Sequence, residues 1–340
     1  MNGYERITTA LRGERVDATP VMLHNFMLAA REAGLTMREF RSDPRQIARA
    51  FSESVARYGQ DGLLVDIDTA TLAAAVGVPV AYPEDEPAVC RGARLSSLAE
   101  VDELPPPDVA KFEGVQVWLE AVRLLKREFD GEIFIRGNCD QAPFSLASLM
   151  RGAEGWMLDL MEPANEAAAF RLLDYCHEAS TQFLRLMAAT GCDMLSNGDS
   201  SAGSSLISPR LHRKFAHAYE TRLAAFSHEL GLPYAQHVCG NARPILADLA
   251  DTGADAIELD FKTDSQSVHD ALKGRATLIG NIDPTGVMTQ GTPELVESKC
   301  RELKAIFSDT PRLILNAGCA LPASTPPGNL RAMIRTAHEQ

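Results

Sequence analysis

The feature that most constrains the fold of this chain is a set of eight short apolar runs, each of which ends in polar side chains. Short and almost continuous apolar runs are typical of buried parallel strands. Between them lie segments with the spacing of amphipathic helices, such as VQVWLEAVRLLKREF and AAFRLLDYCHEASTQFLRLMAATG. The runs are TPVMLHN, DGLLVDID, EIFIRGNCD, CDMLSNGDS, PYAQHVCG, ADAIELDF, ATLIGNIDP and RLILNAGC.

A parallel barrel closes with eight strands that alternate with helices, which is the number found here. We therefore predict the α/β class: a (β/α)8 TIM barrel that residues 1–340 form as a single domain, with an N-terminal helical extension. An open doubly wound sheet is the alternative. Its dinucleotide-binding version is disfavoured because no GxGxxG follows the first strand.

The composition argues against two classes of partner. The chain has a formal net charge of −13 and no basic stripe, whereas nucleic acids are bound by clustered Lys and Arg. No apolar run approaches the roughly 18 residues that span a bilayer, so we predict no membrane partner. The first twenty residues, MNGYERITTALRGERVDATP, lack the apolar centre of a signal peptide. We therefore expect a cytoplasmic location.

The seven cysteines do not form the pattern of a disulfide framework, because their number is odd and the chain is long. Most are expected to be small buried side chains. Four of them lack ligand-like spacing and are predicted to be packing residues: Cys139, Cys176, Cys192 and Cys300.

His237 and Cys239 are two positions apart, so both side chains point to the same face of the strand that they end. In a barrel the carboxyl ends of the strands form one rim, where active-site residues lie. That rim would also hold Cys319, although 80 positions separate it from Cys239. Imidazole and thiolate suit Zn²⁺, and a catalytic zinc keeps three protein ligands. By spacing alone, the alternative that these residues bind no metal stays open, since an HxC pair often arises by chance.

From about Phe144 onward, six stretches match one known family in order. They are SLASLMRG with DLMEPANEAAAFRLLDYCHEA, SLISPRLHRKFAHAY, GLPYAQHVCGNARPIL, GADAIELD, IGNIDPTGVMTQGTPELV and GCALPASTPPGNLRAMIRTA. In these stretches the chain resembles the uroporphyrinogen decarboxylase superfamily. The resemblance implies a (β/α)8 barrel, which agrees with the independent strand count.

Two departures from the decarboxylases bear on function. Those enzymes carry an Arg-rich signature similar to RQAGR after the first strand, to hold the carboxylates of the tetrapyrrole. Here VMLHNFMLAAREAG offers Arg31 but no paired arginines. The decarboxylases also carry a His in the last strand-end motif, where this chain has Cys319 in NAGCALP. With few cations, a highly anionic porphyrinogen would be poorly held.

An HxC pair followed by a distant Cys is instead similar to the zinc methyltransferase branch of the superfamily. The resemblance implies Zn²⁺ held by His237, Cys239 and Cys319, and a methylcobamide as methyl donor, carried by a corrinoid protein partner. It also implies a small-molecule methyl acceptor, for which coenzyme M, another thiol and tetrahydrofolate all stay open. Asp260 lies at a strand end where the branch tends to have an acid, and we expect it to fill the fourth metal position when substrate is absent.

Other strand-end residues are also assigned to the site. We predict catalytic roles for Asp199 and Asp260. Asp199 would orient a substrate or form a hydrogen bond with the His that binds the metal. The alternative for Asp199 is a helix cap or a turn. Four further residues are predicted to bind substrate: His24, Asn25, Asn281 and Asp283. A structural His and an Asp-Pro turn are the alternatives for His24 and Asp283.

We therefore expect a zinc-dependent methyltransferase that moves a methyl group from a methylated corrinoid to a thiol or related acceptor. One alternative is a decarboxylase of a tetrapyrrole, which in this superfamily needs no metal. The other is a non-catalytic corrinoid- or tetrapyrrole-binding protein, in which three retained reactive ligands would be unusual. The oligomeric state is not defined, and a homodimer is one of the assemblies that the sequence allows.

Overall fold

The structure, a computed structural model, describes residues 1–339. In this range the strands are β1 Met22–Leu23, β2 Gly62–Val65, β3 Val80–Ala81, β4 Val89–Cys90, β5 Phe134–Gln141, β6 Met194–Gly198, β7 Tyr234–Val238, β8 Ala256–Leu259, β9 Thr277–Ile282 and β10 Leu313–Ala317. The α-helices are α1 Gly3–Arg12, α2 Phe26–Glu32, α3 Met37–Ser42, α4 Pro44–Tyr58, α5 Thr71–Ala75, α6 Glu113–Phe129, α7 Pro143–Arg151, α8 Ala153–Met161, α9 Glu166–Ala188, α10 Pro209–Phe215, α11 His217–Glu229, α12 Leu246–Asp251, α13 Ser265–Leu272, α14 Pro293–Ile306 and α15 Pro327–His338. Short 3-10 helices span Leu98–Glu103, Val109–Lys111, Pro163–Asn165, Ser200–Ala202 and Arg243–Ile245.

Eight strands form one parallel sheet in the order β1-β2-β5-β6-β7-β8-β9-β10. The sheet returns to its first strand, because Val21 pairs in parallel with Leu315 and the Leu315 N–H donates to the Pro20 carbonyl at 2.8 Å. The predicted (β/α)8 barrel is therefore confirmed, and the open doubly wound sheet is not formed. The antiparallel hairpin of β3 and β4 was not predicted from the sequence.

The strands of the eight-stranded sheet lie between the barrel interior and the outer helices. Every residue of β2, β8, β9 and β10 is buried. Outside β2, helix α6 places Trp118 and Val122 in the core, and the indole N–H of Trp118 donates to the Val65 carbonyl at 3.0 Å. The ring of Phe183, in α9, packs edge-on against Trp118.

The predicted N-terminal extension is helix α1, which covers the amino end of the barrel. Asn2 and Glu5 form a capping box that starts the helix. Ile7 and Ala10 are fully buried in a cluster that also includes Met22 and Phe134, from the starts of β1 and β5. This end is therefore closed by apolar packing, and the opposite end, where the strands finish, is left for the site.

Candidate metal centre

The ends of β7 and β10 bring the three predicted metal ligands together. His237 lies in β7, Cys239 follows that strand directly, and Cys319 lies two residues after β10. One ligand atom from each of the three residues lies within 4.8 Å of the others. The sequence prediction that these side chains meet on one rim agrees with this placement.

Gly318 allows the Cys319 loop to approach the end of β8. A Cβ atom at this position would lie 2.6 Å from the backbone nitrogen of Phe261 and 2.9 Å from Cα of Asp260. These are backbone atoms that cannot turn away as a flexible side chain can. The contact therefore requires a glycine, and it sets how closely the Cys319 loop lies to the end of β8.

The electrostatics of the group favour a thiolate at Cys239. The hydrogen bond from Cys319, followed by the charge of His237, lowers the pKa of Cys239 to about 3, although burial opposes this. Burial would lower the pKa of His237, but the nearby Cys239 and Glu258 outweigh it and raise that pKa to about 9. The hydrogen bond to Cys239, with burial, raises the pKa of Cys319. The site thus pairs an imidazolium Nε2 with a thiolate Sγ at 3.0 Å.

This donor set fits a zinc ion. One imidazole and two sulfur atoms are the ligands that zinc prefers, and a tetrahedral site with bonds of about 2.0–2.3 Å needs donor atoms roughly 3.3–3.8 Å apart. The observed spacing therefore requires only small side-chain movements. Metal binding would release the protons of His237 and Cys319, since zinc ligands must be deprotonated.

Behind His237, the barrel interior holds a buried network around Glu258. Oε2 of Glu258 accepts from Nη2 of Arg136 at 2.8 Å and lies 3.5 Å from Nδ1 of His237, which is a charge contact and not a hydrogen bond. Oε1 accepts from Nδ2 of Asn316 at 2.9 Å. Burial opposes ionisation of Glu258, but Arg136 and His237 outweigh it and lower its pKa to about 2. Glu258 is therefore a carboxylate that faces the non-ligating side of the His237 ring.

A cavity of about 250 Å³ opens beside the metal-ligand group. His237, Cys239 and Cys319 form one part of its wall, and His24 lies on the wall as well. Nε2 of His24 pairs with Oδ2 of Asp66 at 2.8 Å. Nδ1 of His24 is buried and has no hydrogen-bond partner among residues 1–339. Of the four predicted substrate-binding residues, His24 therefore faces the cavity.

The two predicted catalytic acids have partners away from the cavity wall. Asp260 accepts from the N–H groups of Gly240 and Lys262, and so fixes the loop that follows Cys239. Asp199 is fully buried and accepts from the Ser145 N–H at 2.8 Å. Burial and then the charge of Glu220 raise the pKa of Asp199 to about 7.

The other three predicted substrate-binding residues also serve nearby structure. Nδ2 of Asn25 donates to Ser54 at 2.9 Å. Asn281 accepts from Ser265 at 3.0 Å, and Asp283 accepts from the N–H groups of the turn that follows it. Asn281 and Asp283 line a different pocket. Their roles in substrate binding stay predictions.

The network residues Arg136, Glu258 and Asn316 were not assigned to the site from the sequence. A signal for two of them exists, because Arg136 and Glu258 are ionisable residues inside apolar strands, in IFIRG and AIELD. A charge at such a position is rarely buried unless it is paired. No similar signal distinguishes Asn316 from the other polar residues at strand ends.

The seven cysteines are all free, and the four predicted packing residues are buried.

Among residues 1–339, no helix has both the length and the apolar character needed to cross a membrane.

Comparison with known families gives a match along almost the whole chain. The family model described as uroporphyrinogen decarboxylase (URO-D) matches residues 2–340. The chain is similar to the methylcobamide:CoM methyltransferase MtbA of Methanosarcina mazei, with 26% identity over 98% of this chain and 96% of the relative. It shares the same 26% identity with the uroporphyrinogen decarboxylase of Alkalilimnicola ehrlichii, over 98% and 93% of the two chains. Percent identity therefore does not separate the two kinds of relative.

Two solved structures share the fold. A methyltransferase from Methanosarcina mazei superposes with a TM-score of 0.88 and 22% identity over 99% of this chain and 98% of the other. A B12-independent methionine synthase from Shewanella sp. W3-18-1 gives a TM-score of 0.60 and 12% identity over 94% and 97%. At these identities, the likeness shows the fold alone.

Proposed function

Because the chain belongs to the uroporphyrinogen decarboxylase family, we propose that it is the zinc-dependent methyltransferase type of that family. It would move a methyl group from a methylated corrinoid, carried by a partner protein, to a thiol. The relatives named methylcobamide:CoM methyltransferases support this reaction. The sulfur–methyl bond forms as the cobalt–methyl bond breaks, and both electrons of the latter bond stay on cobalt.

The observation that carries the proposal is the group of His237, Cys239 and Cys319 at the rim. Zn²⁺ bound by these residues would lower the pKa of an acceptor thiol and keep it nucleophilic at neutral pH. The decarboxylase alternative explains none of the three ligands. The cavity also has few cations to hold a porphyrinogen. Arg136 is the one Arg or Lys among the described residues that line it, and Glu258 already pairs with Arg136.

The residues around the ligands have defined tasks in this reaction. Glu258 orients His237 from the Nδ1 side, so that Nε2 faces the cysteines. Asp66 fixes Nε2–H of His24, which leaves the Nδ1 lone pair free to accept a proton. We assign to His24 the acceptance of the thiol proton, in the arrangement of a base held by a carboxylate. The positioned thiolate then needs no further acid or base.

Two measurements test the proposal. One is the zinc content of the protein, and the other is the rate of methyl transfer from free methylcobalamin to thiols, which is monitored by absorbance. We expect one zinc per chain in the wild type and little in the double variant Cys239→Ser/Cys319→Ser, with transfer lost in parallel. Cys300→Ser is the matched control, because Cys300 is buried in α14, away from the rim. A wild type that binds Zn²⁺ weakly and lacks zinc after growth with added metal would exclude the central claim.

The role of His24 is tested separately. His24→Gln should keep its zinc but transfer methyl groups more slowly, mostly at lower pH, where the thiol is protonated. A selenol acceptor is already ionised at neutral pH, so His24→Gln should methylate it at nearly the wild-type rate. An equal loss of rate with thiol and selenol would show that His24 does not act on the proton.

A further inference from the structure

A second cavity, of about 430 Å³, is lined by helices α3 and α6. Its wall also includes the loop that follows β2, and Tyr82, which follows β3. Among residues 1–339, no residue lines both this cavity and the one beside the metal-ligand group. The volume falls in the range of about 300–1,000 Å³ that is usual for small-molecule sites. The α3–α6 cavity is therefore a separate space that is large enough for a small ligand.

Arg41 brings to the α3–α6 cavity a positive charge that no carboxylate balances. The residue is 8% exposed, and its guanidinium donates to the carbonyl groups of Pro83 and Glu86. It forms no ion pair within residues 1–339, since no carboxylate oxygen there lies within 4.0 Å of its nitrogen atoms. A guanidinium has five N–H donors, and these two bonds leave three of them without an acceptor. Because buried charges are normally paired, this arrangement lacks an anionic partner.

Asp68 brings a carboxyl group to the same cavity, although the residue is only 1% exposed. Its Oδ1 accepts from the N–H groups of Ala70 and Thr71 and from the Thr71 hydroxyl, whereas Oδ2 has no hydrogen-bond donor in residues 1–339. Burial lowers the pKa of Arg41, and the charge of Asp68 is the largest effect that opposes this. The two charges therefore act on each other without forming an ion pair, and a molecule in the cavity would be within reach of both.

The start of α6 adds further donors and an apolar surface. The N-cap residue, Phe112, gives no side-chain hydrogen bond, and the N–H groups of Glu113 and Gly114 have no acceptor in the described part of the chain. Free N–H groups at the N-terminus of a helix attract anions. Phe112 and Val117 supply apolar surface to the same cavity. The wall therefore combines donors for an anion, an acceptor at Asp68 and apolar side chains.

We propose that the α3–α6 cavity binds a small organic acid with an amino or hydroxyl group beside its carboxylate and an apolar side chain. The carboxylate accepts from the free N–H groups of Arg41 and α6, and the amino or hydroxyl group donates to Oδ2 of Asp68. A simple carboxylate would satisfy Arg41 but would leave Asp68 without a donor. An amine alone would leave Arg41 unpaired. α-Amino and α-hydroxy acids are the chemical classes that supply both groups, and the proposal does not depend on methyl transfer.

Two series of compounds, each with a common skeleton, test the proposal on the purified protein. One is L-phenylalanine, phenyllactate, 3-phenylpropionate and 2-phenylethylamine, and the other is L-leucine with its matching hydroxy acid, unsubstituted acid and amine. Dissociation constants are measured by ligand-detected NMR. In at least one series, we expect the amino or hydroxy acid to bind about 10- to 100-fold more tightly than the unsubstituted acid and the amine, which each lose one charge-assisted contact. The amino and hydroxy arms show which group the site takes.

Arg41→Gln and Asp68→Asn should each abolish this preference. In Asp68→Asn, the remaining oxygen keeps the three bonds of Oδ1, while an amide NH₂ group replaces the free acceptor. Arg151→Gln and Asp193→Asn are the matched controls, because both residues are mostly buried and form ion pairs outside this cavity. Both controls should keep the wild-type preference.

Val117→Phe decides the question if Arg41→Gln does not fold. The larger side chain would enter the cavity from α6 without changing a charge, so the preferred compound should bind more weakly. Wild-type affinity for that compound in Val117→Phe would contradict the proposed location.

Three other results would overturn the proposal. They are the absence of binding by any compound at millimolar concentration, equal binding of all members of both series, and an unchanged preference in folded Arg41→Gln or Asp68→Asn. Binding that is lost in Cys239→Ser/Cys319→Ser but kept in Arg41→Gln would place the compounds at the metal-ligand group, and would also exclude the α3–α6 cavity as their site.

Discussion

Glu258 shows how one residue acts on the candidate site without facing solvent. Its carboxylate contacts the Nδ1 side of His237 and also balances the charge of Arg136. Residues that orient a metal-bound His typically change metal affinity when they are replaced, even though they do not touch the metal. Glu258 is therefore the residue through which the barrel interior would tune the metal site.

We predict that Glu258→Gln weakens zinc binding by about 10- to 100-fold, because a neutral amide attracts the ring N–H of His237 less than a carboxylate does. Zinc affinity is measured by competition with a chelating dye. Glu220→Gln is the matched control, since Glu220 is equally buried but lies in the outer helix α11 and not inside the ring of strands. An equal loss in both variants would point to a general effect of buried carboxylates.

A second prediction at this scale concerns Asp140, whose Oδ2 accepts from the Leu72 N–H while its Oδ1 has no partner among residues 1–339. Burial, then the charge of Asp68, raises the pKa of Asp140 well above 3.8. The folded protein thus keeps a proton that the unfolded chain loses near pH 4. Because the folded state binds more protons, this group makes stability fall as pH rises above about 4.

Asp140→Asn should remove this contribution, so its stability relative to wild type should increase with pH, by up to about 1.4 kcal/mol per pH unit in the affected range. Asn keeps the acceptor for Leu72 and tolerates the φ of 60° at this position. Urea unfolding at pH 4.5 and pH 8 measures the difference. Asp130→Asn is the control, since Asp130 also has a positive φ but is exposed. A difference between variant and wild type that is the same at both pH values would contradict the assignment.

At the scale of elements, the two ends of the barrel have separate tasks. Helix α1 covers the amino end with apolar side chains, whereas the loops after β7, β8 and β10 carry the polar groups of the site. Two residues shape the loops at the site end of the barrel. Asp260 fixes the loop that follows Cys239, and Gly318 lets the Cys319 loop approach β8. Changes in α1 should therefore affect stability without affecting the metal ligands.

Ile7→Ala tests this separation. Ile7 is fully buried between α1 and the strands, and the cavity left by truncation should cost about 2–5 kcal/mol of unfolding free energy. Leu11→Ala, at a partly buried position of the same helix, should cost less. Urea unfolding gives both values, and zinc content should stay at that of the wild type. Loss of zinc from folded Ile7→Ala would show that the two ends are coupled.

For the whole molecule, barrel closure would make metal binding at the proposed site a contribution to stability. The three predicted ligands come from the end of β7, the loop directly after it and the loop after β10, so the site exists only when distant parts of the chain are folded. A ligand that binds only the folded state stabilises it by about 2.7 kcal/mol at 100 times its dissociation constant.

We therefore predict that zinc raises the melting temperature of the wild type and that a chelator lowers it. Differential scanning calorimetry with and without the chelator measures the shift. The Cys239→Ser/Cys319→Ser variant should show almost none of it. A zinc-dependent shift of the same size in that variant would mean that the stabilising metal is bound elsewhere.

Local pattern was enough to predict much of this protein. The eight strands follow from short apolar runs, because burial on both faces leaves no room for polar residues. The position of His237, Cys239 and Cys319 on one rim follows from the strand ends, since parallel strands of a barrel all finish on the same side. The family resemblance added the class of reaction and implied which metal the site would hold.

The tertiary structure decided which polar side chains reach the cavity. Asp199, Asp260 and Asn281 all lie near strand ends, yet their side chains bond to nearby loops and helices, whereas Arg136 and Glu258 meet inside the barrel. Sequence position locates a residue along a strand. The partner of its side chain depends on the register of neighbouring strands and on barrel closure, which are set only when residues more than a hundred positions apart, such as Arg136 and Glu258, pack together.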